Sequence, residues 1–239
     1  MLRPLIRDPL IRDPGTVDPL IRDPLIGDPV PRQRVAVLFA RADSLYRSLP
    51  DVEVWDIERN ALNFEGGCPV VAHPPCRAWG RLRAFARPGR GEKELALFAV
   101  EKVRSCGGVL EHPYGSTLWA AASLPTGAGR DRWGGYTLFM PQFWFGHRAE
   151  KPTLFYVVGC DPEKLPNIPV RTGLPGFVVQ SRKRAGHRPH IPKSEREMTP
   201  LGMASWLVDV ARRVNGSTDH GSTNQRFPDQ RITDQPING

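Results

Sequence analysis

The chain has 239 residues and carries 33 Lys and Arg against 25 Asp and Glu, for a net charge of +8. Its 25 prolines and 23 glycines are too few and too unevenly placed for a collagen-like or wholly disordered chain. It holds no run of about 18 apolar residues that would span a membrane, and Arg and Asp recur near the start where a signal peptide needs an apolar stretch, so a cytoplasmic protein is expected.

Residues 1–34 open on a repeat. From Pro4 to Asp28 five pentads read PLIRD, PLIRD, PGTVD, PLIRD and PLIGD. A proline at every fifth position removes backbone donors and fixes φ, so neither a helix nor a central strand is expected, and the segment reads as an extended, disordered leader. Residues 215–239 are rich in Gly, Ser, Thr, Asn, Asp and Gln and read as a disordered polar tail. Both ends are nearly neutral, so the positive charge belongs to a core of residues 35–214.

The core alternates strand and helix patterns. Val35–Phe39 is a short continuous apolar run, as a buried parallel strand requires. A short helix follows, capped by Asp43 and running to Leu49, then a strand over Val52–Trp55. Pro69–Ala72 predicts a third strand, ending at His73-Pro74-Pro75-Cys76. Glu92–Cys106 is the clearest helix, with Leu95, Phe98, Ala99, Lys102 and Val103 on one face and Gly107-Gly108 after its end. Val109-Leu110 begins a strand that ends at Glu111-His112-Pro113, a short helix covers Ser116–Ala122, and Thr153–Val158 is a further strand. Thr199 caps a last helix to about Arg213, with Pro200 at its first position. The expected fold class is α/β: a Rossmann-like, mostly parallel sheet with helices on both faces.

In open α/β sheets ligands bind beyond the carboxyl ends of the strands. Two such ends carry unusual residues here, Cys76 after one strand and Glu111 at the end of the next, with one helix between. A thiol and a carboxylate delivered to one sheet edge suit covalent catalysis, the thiolate attacking while the carboxylate works as acid or hydrogen-bonding group. The plainer readings are a buried thiol for Cys76 and an ion-paired carboxylate for Glu111. His73 and Cys76 with His112 nearby, or His187 with His190, make only weak zinc patterns, so no metal is expected. Cys68, Cys106 and Cys160 show no CxxC spacing.

The Pro-Pro-Cys76 loop, Glu111-His112-Pro113, Phe145-Gly146-His147 with Lys151-Pro152-Thr153, and the late Met198-Thr199-Pro200 helix start resemble, in that order, DNA cytosine-5 methyltransferases, and in particular small phage and prophage methyltransferase-like proteins. The resemblance spans about residues 35–213. It implies a methyltransferase-like fold, DNA as partner and S-adenosylmethionine as cofactor. Cys76 would add to C6 of a flipped cytosine and Glu111 would steady the protonated N3, so that C5 receives the methyl group. Lys151 and Thr153 would stand for the family's basic motif, with Arg77, Arg81, Arg83 and His112 beside the substrate. The cofactor would meet Phe39 and Asp43 in the first turn, which reads Phe39-Ala-Arg-Ala-Asp-Ser44 where the family has a Phe-x-Gly-x-Gly turn. Asp56 or Glu58, after the second strand, would meet its ribose.

Two basic stretches fit a polyanionic partner: Arg77, Arg81, Arg83, Arg87, Arg90 and Lys93, and then Arg182, Lys183, Arg184, Arg188 and Lys193. Trp79, Phe85, Trp133 and Trp144 are candidates for stacking on bases. Two other readings stay open: a different nucleobase or nucleotide transformation using Cys76 and Glu111, and a non-catalytic, phage-derived DNA-binding protein.

Overall fold

A computed structural model describes residues 32–179 and 188–215. The leader's pentads, the tail beyond Asn215, His187 and the basic residues Arg182, Lys183 and Arg184 lie outside the described residues. The compact unit begins at Gln33.

It is a mixed α/β fold on a six-stranded sheet. The strands are β1 (Val35–Leu38), β2 (Val52–Trp55), β3 (Val70–Ala72), β4 (Gly108–Pro113), β5 (Tyr136–Pro141) and β6 (Pro152–Val158). Their spatial order is β2-β1-β3-β4-β6-β5. β2, β1, β3 and β4 pair in parallel, and β6 runs antiparallel to both β4 and β5. The helices are α1 (Glu92–Cys106), α2 (Leu118–Ala121), α3 (Lys193–Glu197) and α4 (Leu201–Arg212).

The uniformly apolar strands follow from burial on both faces. Val35 and Val37 of β1 share a core with Val71, Val109 and the α4 residues Met203, Ala204, Leu207 and Val210. Ala36 and Leu38, pointing the other way, pack with Val70, Ala72, Leu110 and the α1 residues Ala96, Ala99, Val100 and Val103. A strand that feeds two cores has no face left for polar side chains. The buried stripe of α1 is Ala96, Ala99, Val100 and Val103: Ala99 and Val103 lie on it as expected, whereas Leu95, Phe98 and Lys102 lie to its side. Small residues let the helix sit close to the sheet. Phe98 and Lys102 flank the stripe instead, with the Lys102 ammonium over the Phe64 and Phe98 rings.

Several boundaries shift for physical reasons. The expected helix after β1 is a 3-10 turn, Leu45–Ser48, whose cap is Ser44 rather than Asp43. The expected Thr199 cap of α4 is replaced by Pro200 itself in extended conformation, with no side-chain cap bond. The β5 strand went unforeseen in a stretch crowded with glycine, proline and aromatics. It lies at the sheet edge, where its partner is the reversed β6. Among the described residues no helix is long and apolar enough to cross a membrane.

The close approach of β3 and β4 depends on Gly108. Its φ of +121° disfavours any side chain, and a Cβ there would collide with the backbone of Val70. Gly108→Ala is expected to lower stability by about 2 kcal/mol or more. Gly127→Ala, at φ +71° with open space around it, should cost about 1 kcal/mol. Urea denaturation of the two variants checks the difference.

Candidate active site

The order 2-1-3-4 contains a switch point. From β1 the chain moves outward to β2, then returns to place β3 on the other side of β1. Loops leaving β1 and β3 therefore part to opposite faces and leave a crevice beyond their carboxyl ends. A cavity of about 710 Å³ opens there. Its lining includes Phe39, Asp43 and Tyr46 after β1, His73 and Cys76 after β3, Glu111 of β4, and Lys151 and Thr153 at the start of β6. Cys76 and Glu111 thus face one cavity, and Arg77, Arg81 and Arg83 line it as well.

The cysteine loop is held by its backbone. The His73 N–H donates to the Leu38 carbonyl at 3.0 Å, extending the β1–β3 pairing by one residue. The Cys76 carbonyl accepts from the N–H groups of Trp79 (3.1 Å) and Gly80 (2.8 Å), which winds the chain into a turn directly after the thiol. Arg77 is tied to the buried Glu92 of α1. Prolines 74 and 75 stiffen the approach, so the thiol has little freedom to leave the rim.

Glu111 is the centre of a polar network. His73 Nδ1 lies 3.0 Å from Glu111 Oε2, and Tyr46 Oη lies 2.8 Å from His73 Nε2. The Gln142 amide donates to Glu111 Oε1 at 3.0 Å and to Thr153 Oγ1 at 3.2 Å, and Thr153 Oγ1 donates to the Lys151 carbonyl at 2.9 Å. Burial alone pushes the Glu111 carboxyl up. The His73 hydrogen bond and the charges of His73, Lys151 and His112 overcome it and hold the group near 2. An ionised carboxylate only accepts, so His73 carries its proton on Nδ1, and in the neutral ring Nε2 accepts from Tyr46. Burial and the Glu111 charge push the Tyr46 phenol well up, so it remains a donor.

The thiol sits under opposed influences. Burial pushes Cys76 up, the Glu111 charge adds to that, and the Lys151 ammonium pulls it down. Lys151 is itself pushed down by burial and supported by Glu111, Cys76 and Glu197, and its Nζ donates to the Met198 carbonyl at 3.3 Å. Phe39 and Lys151 both take left-handed backbone, at φ 61° and 43°. Such conformations in non-glycine residues cost of order 1 kcal/mol or more and cluster at functional sites.

Other expected site residues lie elsewhere. Asp56 is buried but does not line the cavity. Its Oδ1 accepts from the N–H groups of Glu58 (3.1 Å) and Arg59 (3.0 Å), and its Oδ2 pairs with Arg47. Glu58 is also absent from the lining. The carboxylate of the first loop that does reach the cavity is Asp43, held by Arg41 at 2.8 and 2.9 Å. His112 is fully buried, on the sheet face opposite Glu111, 6.4 Å from the Trp119 ring, and does not line the cavity. Two residues of the network were not singled out from the sequence. Gln142, fully buried in the run Pro-Gln-Phe-Trp-Phe, is a lone amide among aromatics and so needs partners. Tyr46 gave no such signal. Among the described residues no group of three or more His, Cys, Asp or Glu is arranged to hold a metal ion.

Of the residues expected to meet the cofactor, Phe39 and Asp43 line the cavity, whose volume of about 710 Å³ has room for a group of S-adenosylmethionine's size. Phe39 takes left-handed backbone there, its ring meeting Phe98 edge-on at 6.3 Å. Asp56, committed to its own turn, and Glu58 do not line it.

His112 makes the site's support acid-sensitive. Burial lowers it to about 4, against an opposing pull from the Glu111 charge and a smaller one from the Pro75 backbone, and neither ring nitrogen has a hydrogen bond of normal geometry. Between pH 6.5 and 4 the unfolded chain therefore binds a proton that the folded chain refuses, so stability is full above 6.5 and falls as the pH drops. The loss is expected to reach on the order of 3 kcal/mol by pH 4. Below about 4.5 protonation of Glu111 adds a further loss that continues towards 2. His112→Phe should flatten the limb between 6.5 and 4, measured by urea unfolding at a series of pH values. No family model matches the chain, and no curated protein or solved structure matches it.

Proposed function

We propose that the protein is a DNA-modifying enzyme of methyltransferase-like fold that transfers a methyl group to C5 of cytosine, with Cys76 as nucleophile. The observation that carries this reading is the single cavity shared by Cys76, Glu111, Lys151 and Thr153 at the switch point of the sheet. The four come from three separate strand ends.

S-adenosylmethionine, when bound, supplies an electrophilic methyl group; the segment Phe39–Ser44, with Asp43 as its acid, would hold it. The chain's own residues do the rest. Cys76 gives up its proton as its sulfur bonds to C6 of the base, while N3 takes up a proton beside Glu111, so no net proton is consumed. Glu111 acts as a carboxylate, accepting from the base's N3–H and amino group, because His73 and Gln142 keep it ionised. Lys151 favours the thiolate that the attack requires. Once C5 carries the methyl group, the cofactor's sulfur having left as the neutral thioether, the C5 proton passes to solvent, Cys76 leaves as thiolate, and the N3 proton returns to the sulfur of Cys76, which restores the ring. The target base must leave its stack to reach the cavity.

Transfer of labelled methyl from S-adenosylmethionine to DNA tests the reading. Cys76→Ser is expected to reduce transfer by about 10³-fold or more, and Glu111→Gln by about 10²-fold. No transfer by the wild type, or equal transfer by Cys76→Ser, would overturn it.

A further inference from the structure

Residues 81–90 read Arg-Leu-Arg-Ala-Phe-Ala-Arg-Pro-Gly-Arg, with four arginines and no acid. The segment joins the cysteine turn to α1, and Arg81, Leu82, Arg83 and Ala86 line the cavity. All four arginines are exposed. Among the described residues, the side chains of Arg81, Arg83, Arg87 and Arg90 have no ion pair, hydrogen bond or ring contact. Many arginines elsewhere among the described residues are engaged, as Arg77 is with Glu92, Arg104 and Arg132 over the Trp133 ring and Arg148 with Glu195, although Arg34 and Arg196 are not.

In the middle of this strip stands Phe85, 86 % exposed. Of the four aromatics that could stack on a base, Trp79 and Trp144 serve the cores and Trp133 lies under two guanidinium groups. Phe85 alone of the four offers a bare ring. Its exposure is unfavourable in water, and so is the mutual repulsion of four uncompensated cations. A partner that is both polyanionic and rich in flat apolar faces relieves both. An acidic peptide relieves only the repulsion. Duplex DNA presents phosphates but keeps its base faces stacked, out of reach of a surface ring. A single strand supplies both.

We propose that residues 81–90 form a binding strip for single-stranded DNA, with the arginines on successive phosphates and Phe85 stacked on an unpaired base at the mouth of the cavity. The choice of DNA over RNA rests on the function proposed above; the strip itself does not depend on methyl transfer.

The test is fluorescence anisotropy of the full chain, without cofactor, on a labelled 20-nucleotide oligothymidylate and on a duplex of the same length. The single strand should bind more tightly. Phe85→Ala should weaken it about tenfold and Phe85→Trp should not. Arg83→Ala and Arg87→Ala should each reduce the slope of log affinity against log salt by about 0.7. Phe85 is exposed, so its variants should melt like the wild type, which thermal denaturation verifies. The proposal is overturned if duplex binds as tightly as the single strand, if Phe85→Ala binds like the wild type, or if polyglutamate of equal charge displaces the strand as well as DNA does. Tighter binding of oligouridylate would overturn the choice of DNA. Absence of methyl transfer would leave all these readings unchanged, so the two proposals fail separately.

Discussion

A carboxylate placed at the end of a central strand and largely withdrawn from water must find partners or lose its charge. Glu111 finds them on three neighbouring elements. His73 comes from the end of β3, Gln142 from the turn after β5, and Lys151 from the residue before β6. Each partner also fixes something else. His73 continues the β1–β3 pairing and holds Tyr46, Gln142 anchors Thr153, and Lys151 reaches the loop before α4. The network is thus both the electrostatic support of one charge and a side-chain tie between strand ends that adds to the sheet's own hydrogen bonds. Removing one partner would leave a buried charge uncompensated, the expensive case for such groups.

The sheet makes this convergence possible. Because β1 and β3 are adjacent and parallel, their loops leave from the same edge, and because their crossovers run on opposite faces the loops do not collide. The reversed β6 then brings Lys151, just before it, and its first residues Pro152 and Thr153 to the edge where β4 ends. An additional parallel strand in that place would have presented its last residues instead. One antiparallel strand therefore adds a cation and a hydroxyl to a site otherwise built from parallel strand ends.

Much of this was legible in the sequence. The runs at 35–38, 52–55 and 70–72 are buried on both faces or at an edge and carry almost no polar residue, so composition alone marks them. The bounds of α1 follow from the glycines at both of its ends. Cys76 and Glu111 stood out because polar residues at the ends of apolar strands need a reason. What was hidden has physical causes as well. The direction of β6 depends on β5, whose pattern is confused by Pro141 and neighbouring glycines. Asp56 stands where a ribose-binding acid is expected, yet the chain after it turns back and its carboxylate receives two backbone N–H groups, a local competition that strand position does not reveal. On α1 the small residues Ala96 and Val100 join Ala99 and Val103 against the sheet in place of the larger Leu95 and Phe98, because close approach favours small side chains, which periodicity does not reveal.

The cavity separates two electrostatic regimes. Inside, the Glu111 charge is met by the His73 hydrogen bond and by the Lys151 ammonium, and burial shields that balance from salt. Arg81 and Arg83 at the mouth, with Arg87 and Arg90 further along the strip, are uncompensated and open to solvent, where their field falls off over roughly 10 Å at 0.1 M salt. A ligand would feel the mouth first and at long range, and the interior only after shedding water. Affinity should therefore follow ionic strength, whereas the state of Cys76 should follow pH and what fills the cavity, because Glu111 and Lys151 act on the thiol at short range. Excluding water from the crevice would strengthen the Lys151 attraction and the Glu111 repulsion together. A base that donates hydrogen bonds to Glu111 would spread that negative charge and leave the lysine's pull on the thiol less opposed. The arrangement thus couples activation of the nucleophile to the presence of a hydrogen-bond donor at Glu111.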